Sequence, residues 1–342
     1  MIDTFLKGMI LKPQYYLIVI LLAGMALVSC KRGKPYDVNI SHIRIDPVEI
    51  KRYEEVLFTI DPANLREEID PHIDDFSLFL GEEINTPMGQ QQLYDYITDP
   101  FIKGLYEDTK LVWDDVAELE RELTLAFRYL QYHFAHLQVP VVYSYVSGID
   151  YELPAKYYDG NIIIGLDMFM GVDYVKYEQI GIPKFKRQRF LPENTALEAL
   201  LSMVNEMLRP YPKLHENLLD HMIFEGKLLY FLDCMFPGKP DSLKIAYTTE
   251  QINWAERNQG QSWSYYIENE LLYSTDRQMV QKFIGAAPFT APFSAGSAPR
   301  MGIYNGWQIV RAYMRRNSDV GLQELLFEKD AREILSKANY RP

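Results

Sequence analysis

Cysteine is almost absent from this chain. Of 342 residues only Cys30 and Cys234 carry a thiol, and with Cys30 engaged elsewhere a disulfide framework is excluded. Positive charge is in deficit: 35 basic against 47 acidic residues leave a net charge of −12. Such a balance argues against nucleic acid or an anionic bilayer surface as a partner. Beyond residue 30 no run is long and apolar enough to span a bilayer. Repeats, low-complexity tracts and Gly/Ser-rich linkers are missing as well. A chain 48% hydrophobic can bury a large core, as one sizeable domain or two intimately packed ones.

The first thirty residues read as a targeting segment. Lys7 and Lys12 precede an apolar run from Tyr15 to Val28, and Leu27-Val28-Ser29-Cys30 has the form of a bacterial lipobox. Residues 1–29 are therefore expected to be a lipoprotein signal peptide and Cys30 the lipid attachment site, with residues 30–36 a short tether. Removing Asp3, Lys7 and Lys12 leaves the mature chain more negative by a single charge. Two or more acyl chains of the palmitate kind on Cys30 would anchor it stably, whereas one would not.

The sequence lacks H-E-x-x-H, yet it keeps the frame. Asn205-Glu206-Met207-Leu208-Arg209 places Asn205 where the first histidine would stand and Arg209 where the second would. Apolar residues at Leu197, Leu200, Leu201, Val204 and Leu208 predict a helix, with Thr195 as N-cap, Glu198 as its capping-box partner and Pro210 as the stop. At about 100° per residue, Asn205, Glu206 and Arg209 share one arc of that helix. Asparagine is a poor zinc ligand, and a guanidinium cannot bind a cation at all. A following helix over Leu214–Asp233 carries Glu225-Gly226. Arg209 is expected to pair with Glu206 or Glu225 in place of the missing metal.

Elsewhere, Asn39–Ile45 and Tyr53–Phe58 suggest strands. Val116–Leu137 predicts an amphipathic helix carrying His133 and His136 at i, i+3. Val141–Val146 and Asn161–Asp167 read as paired strands, and Gly148–Gly160 as the loop between them. Lys184, Lys186, Arg187 and Arg189 form a basic cluster on a loop, able to dock an anionic partner or simply to be solvated. Gly302 and Gly306 open a late helix, where missing side chains permit close backbone approach.

Several blocks together resemble the gliding-motility lipoprotein GldB family of Bacteroidota. They are Ile163–Gly171, Met222–Asp233, Ala287-Pro288-Phe289, Gly306–Met314 and the closing Tyr340-Arg341-Pro342. The resemblance spans the mature chain and is similar in turn to predicted zinc proteases. It implies a mainly α fold with a small β-sheet, a degenerate zincin-like domain over 37–342. Asn205, Glu206, Arg209 and Glu225 fall on first ligand, general base, second ligand and third ligand. In zinc proteases an edge strand borders the catalytic helix and receives substrate by strand addition. The resemblance implies a non-enzymatic envelope lipoprotein of the gliding or linked secretion machinery, at the outer membrane facing the periplasm. No metal or cofactor is expected beyond the lipid on Cys30, and the partners would be other envelope proteins. The alternatives are a metal-dependent hydrolase using His221, Glu225 and Glu206, and a peptidoglycan- or glycan-binding lipoprotein suggested by 25 tyrosines.

Overall fold

Helices carry most of the architecture, and a small sheet is set among them. The structure, a computed structural model, describes residues 35–209 and 216–342. Residues 1–37 and 38–342 separate into two units, and the sheet and helices all belong to the second. Cys30, the signal segment and Pro210 lie outside the described residues.

The sheet has the order β1-β2-β4-β3, from β1 (Ile50–Arg52), β2 (Val141–Tyr145), β3 (Ala155–Tyr158) and β4 (Asn161–Gly165). The first two contacts are parallel, and β3 runs antiparallel to β4 with Ala155 opposite Ile164. Val142, Ile162 and Ile164 are buried on this sheet. Between β3 and β4 the turn Asp159-Gly160 has φ of +47° and +79°, the left-handed pair that suits a two-residue hairpin. The expected loop over Gly148–Gly160 is thus corrected: its second half is an edge strand.

Two other strand expectations are also corrected. Tyr53–Leu57 is a short helix, with buried Glu54 held by Arg52 and Ser144. Asn39–Ile45 is not a strand, because its backbone is bound by side chains of a helix instead. Arg128 donates to the carbonyls of Ile43 and Ile40, and further on Thr124 and Glu120 accept the N–H groups of Val48 and Ile50.

Among the helices are α1 (Pro87–Thr98), α2 (Pro100–Trp113), α3 (Ala117–His133), α4 (Thr195–Leu208), α5 (Leu218–Met235), α6 (Met301–Arg316) and α7 (Ala331–Ala338). Asp99, between α1 and α2, caps the second by accepting from Phe101 and Ile102, with Pro100 as its first residue. An Asn217–Asp220 capping box starts α5, later than the expected Leu214. From Gly226 to Met235 every α5 residue is buried, as expected of a central helix apolar on all sides.

Helix α5 meets α6 backbone to backbone. A Cβ on Gly226 would lie 2.5 Å from the Gly306 carbonyl, and one on Gly306 would lie 1.8 Å from the carbonyl oxygen of Met222. Near this crossing a buried polar cluster is centred on Asp233. Its carboxylate accepts from Lys244 at 2.8 Å, from Arg311 at 2.7 Å through two nitrogens, and from the Trp307 indole at 2.9 Å. Arg311 also stacks on the Trp307 ring at 3.7 Å.

Helix α3 ends at His133, and His136 lies beyond it in a turn, so the two do not share a helix face. Burial pushes the His133 imidazole down to about 4, and its Nε2 has no hydrogen-bond partner among the described residues. Since the folded value lies below that of a free imidazole near 6.5, the stability this group contributes is complete above that value. It fades as pH falls from 6.5 towards 4, by up to about 3 kcal/mol. His133→Phe keeps a ring against Tyr132 but cannot titrate. Denaturant titrations at pH 7 and pH 5 are expected to show a smaller stability loss in the variant than in the parent chain.

Candidate functional site

Helix α4 and strand β3 form the two sides of a cleft of about 650 Å³. The helix is set by burial of Leu197, Leu200, Val204 and Leu208, which leaves Asn205, Glu206 and Arg209 outward. Its start differs from the expectation. Thr195 is the first helical residue, and its hydroxyl donates back to the Pro192 carbonyl. Glu198 is no capping-box partner, because it is buried and accepts two hydrogen bonds from Arg189, at 2.9 and 2.5 Å. Satisfying a buried carboxylate with a guanidinium fork outweighs one backbone cap.

Asn205, Glu206, Arg209 and Glu225 all line this cleft, so the four sequence-predicted positions are brought together. Asn205 turns its amide onto its own helix, donating to the Leu201 carbonyl at 2.9 Å. Arg209 and Glu206 form an ion pair at 2.5 Å. The Arg209 side chain is 77% exposed, however, so this pair marks the rim and does not fill the interior. Other cations lining the cleft include Arg189, Arg300 and Lys244, whose side chain is 1% exposed. The charge of Glu198 raises Arg189 further above its usual range, while burial draws Arg300 below it.

His221 lies on α5 one turn before Glu225 but does not line the cleft. Burial lowers its imidazole, against the charge of Asp220. Among the described residues no group of three His, Cys, Asp or Glu side chains is placed to hold a metal ion. The set His221, Glu225 and Glu206 is therefore not assembled as ligands. Cys234 is a buried free thiol whose ionisation burial pushes well up.

A second cleft of about 460 Å³ shares Glu152, Arg189, Ala246 and Arg300 with the first. The basic cluster borders it, but its members have carboxylate neighbours: Lys184 with Asp173 at 3.2 Å, Lys186 with Glu152 at 3.6 Å and Arg187 with Glu178 at 3.9 Å. Sequence reasoning missed the edge strand and Arg300. The strand had a usable signal, since Asp159-Gly160 between Tyr157-Tyr158 and Asn161–Ile164 is a strong hairpin cue. Arg300 had none, because nothing local marks an arginine that ends a Pro-rich loop as a cleft residue.

The fold and cleft define a helix-rich α+β protein with a small mixed sheet, and no described helix is long and apolar enough to cross a membrane. Over residues 33–342 the chain matches the family described as gliding motility protein GldB, and it belongs to that family. Membership associates it with the cell envelope and the gliding-motility machinery. No curated protein and no solved structure matches the chain.

Proposed function

We propose that this chain is a non-enzymatic lipoprotein of the gliding-motility or linked secretion machinery. It is a zincin-like pseudo-protease scaffold, anchored through the lipid on Cys30 at the outer membrane and facing the periplasm. Its cleft holds an extended segment of another envelope protein. The observation that carries this reading is the state of the H-E-x-x-H frame within the cleft. Asn205 is spent on its own helix, and Arg209 is paired with the glutamate that would be the general base. A general base without a metal-bound water to deprotonate makes no nucleophile. The cleft itself persists, and β3 pairs only with β4 among the described residues, which leaves an edge able to take an added strand.

The test is elemental analysis of the full-length protein, purified in detergent without chelator and without a His-tag. No stoichiometric zinc is expected, and peptide substrates should remain uncut. One zinc per chain, with a zinc-dependent cleavage that His221→Ala abolishes, would overturn the reading in favour of His221, Glu225 and Glu206. Retention on cell-wall sacculi would instead favour a glycan-binding role.

A further inference from the structure

Five cations line the main cleft: Lys156, Arg189, Arg209, Lys244 and Arg300. Four have a carboxylate at ion-pair distance. Lys156 meets Asp150 at 2.9 Å, Arg189 meets Glu198 at 2.5 Å, Arg209 meets Glu206 at 2.5 Å, and Lys244 meets Asp233 at 2.8 Å. Arg300 has none among the described residues. Its guanidinium donates one hydrogen bond, from Nη2 to the Ile245 carbonyl at 2.5 Å, and a guanidinium has five N–H groups to give.

Its placement is built into the fold. Arg300 is the N-cap of α6 in the left-handed conformation, φ +48° and ψ +42°, which a non-glycine residue adopts only when its surroundings impose it. Those surroundings are a buried turn. Thr290 Oγ1 accepts from the Met301 N–H and donates to the Ala298 carbonyl, and Ser297 Oγ accepts from the Thr290 N–H. The side chain consequently stands where the two clefts join, next to Ala246 and Arg189. Burial pulls its pKa down and the charge of Arg189 adds to the pull, while Tyr247, Glu225 and Glu198 oppose it. A guanidinium with no carboxylate at ion-pair distance among the described residues favours an incoming anion.

We propose that Arg300 receives a carboxylate of a peptide lying extended along β3. The proposal rests on the reading of the cleft as a holder of a partner segment, and it adds the chemistry by which that segment is chosen. A carboxylate fits better than a phosphate. The planar fork of an arginine matches two carboxylate oxygens, and Glu198 and Glu225 close by repel a dianion more strongly than a monoanion. The carboxylate is either the C-terminus of the segment or an Asp or Glu side chain within it.

The experiment uses full-length protein in detergent micelles and three pools of random hexapeptides. One pool lacks Asp and Glu and ends in a free carboxylate. The second is identical but ends in an amide, and the third ends in an amide with a central Glu. Peptides retained by the protein are quantified by mass spectrometry. One acidic pool is expected to be retained about tenfold or more over the second, the discrimination a charge-assisted hydrogen bond supplies. Preference for the first pool assigns a C-terminus, and preference for the third a side chain. Arg300→Gln is expected to erase the preference, and Arg300→Lys to keep some of it. Equal retention of all three pools overturns the carboxylate while leaving the peptide cleft standing, as does a preference that survives Arg300→Gln. Retention of none removes the peptide cleft itself. The pool comparison in the parent chain needs no variant to fold.

Discussion

Gly306→Ala is expected to destabilise the fold by about 3 kcal/mol or more, at or above the top of the usual range for overpacking. The added methyl would lie 1.8 Å from the carbonyl oxygen of Met222 and 2.4 Å from its carbonyl carbon. Both atoms are main chain, so no rotamer change can make room, and α5 and α6 must separate along their whole contact. Gly226 faces the same crossing from the other side, at 2.5 Å from the Gly306 carbonyl. Gly226→Ala should therefore cost a similar amount, and the double variant less than the sum, since one separation of the helices relieves both clashes. Gly238→Ala is the control. Nothing lies within 4 Å of its added Cβ, and a change within about 0.5 kcal/mol is expected. Urea titrations of the four variants check this, and a Gly306→Ala protein as stable as Gly238→Ala would contradict the close crossing.

How much of this was legible in the sequence depended on the range of the interaction involved. The periodic apolar positions of α3 and α4 announced those helices, because burial of a stripe is a local pattern with a fixed period. Gly306 announced a close approach for the same reason. The blocks that carried the family resemblance, Met222–Asp233 and Gly306–Met314, prove to be the two helices that cross, with Asp233, Trp307 and Arg311 bonded to one another. They hold the core and its polar cluster together.

The misreadings were of interactions made at a distance along the chain. Glu198 has the spacing of half a capping box, but Arg189 holds it from the preceding 3-10 turn over Gln188–Phe190. Asn39–Ile45 alternates like a strand, but Arg128 on α3 claims its carbonyls. The cleft itself needs β3, α4, α5, the Lys244–Ala246 segment and the start of α6 to come together. Arg209 has the expected spacing and pairs with Glu206, yet its exposure leaves the interior to other cations, Lys244, Arg189 and Arg300.

Removing the carboxylate of Asp233 is expected to be as severe as the glycine change, for an electrostatic reason. Asp233→Ala would remove the carboxylate that Lys244, its side chain 1% exposed, meets at 2.8 Å. Arg311 would keep Asp241, which also bonds it at 2.5 and 2.8 Å. Stranding one member of a buried ion pair costs about 3–5 kcal/mol, mostly the penalty of the charge left behind. Asp233→Leu combined with Lys244→Met removes both charges and should be less damaging than Asp233→Ala. The effect also reaches the cleft. Lys244 precedes Ile245, whose carbonyl holds Arg300, so loosening the Asp233 cluster should weaken the retention of acidic peptides before the fold is lost. A double variant no more stable than Asp233→Ala would make lost packing, and not the charge left behind, the cause.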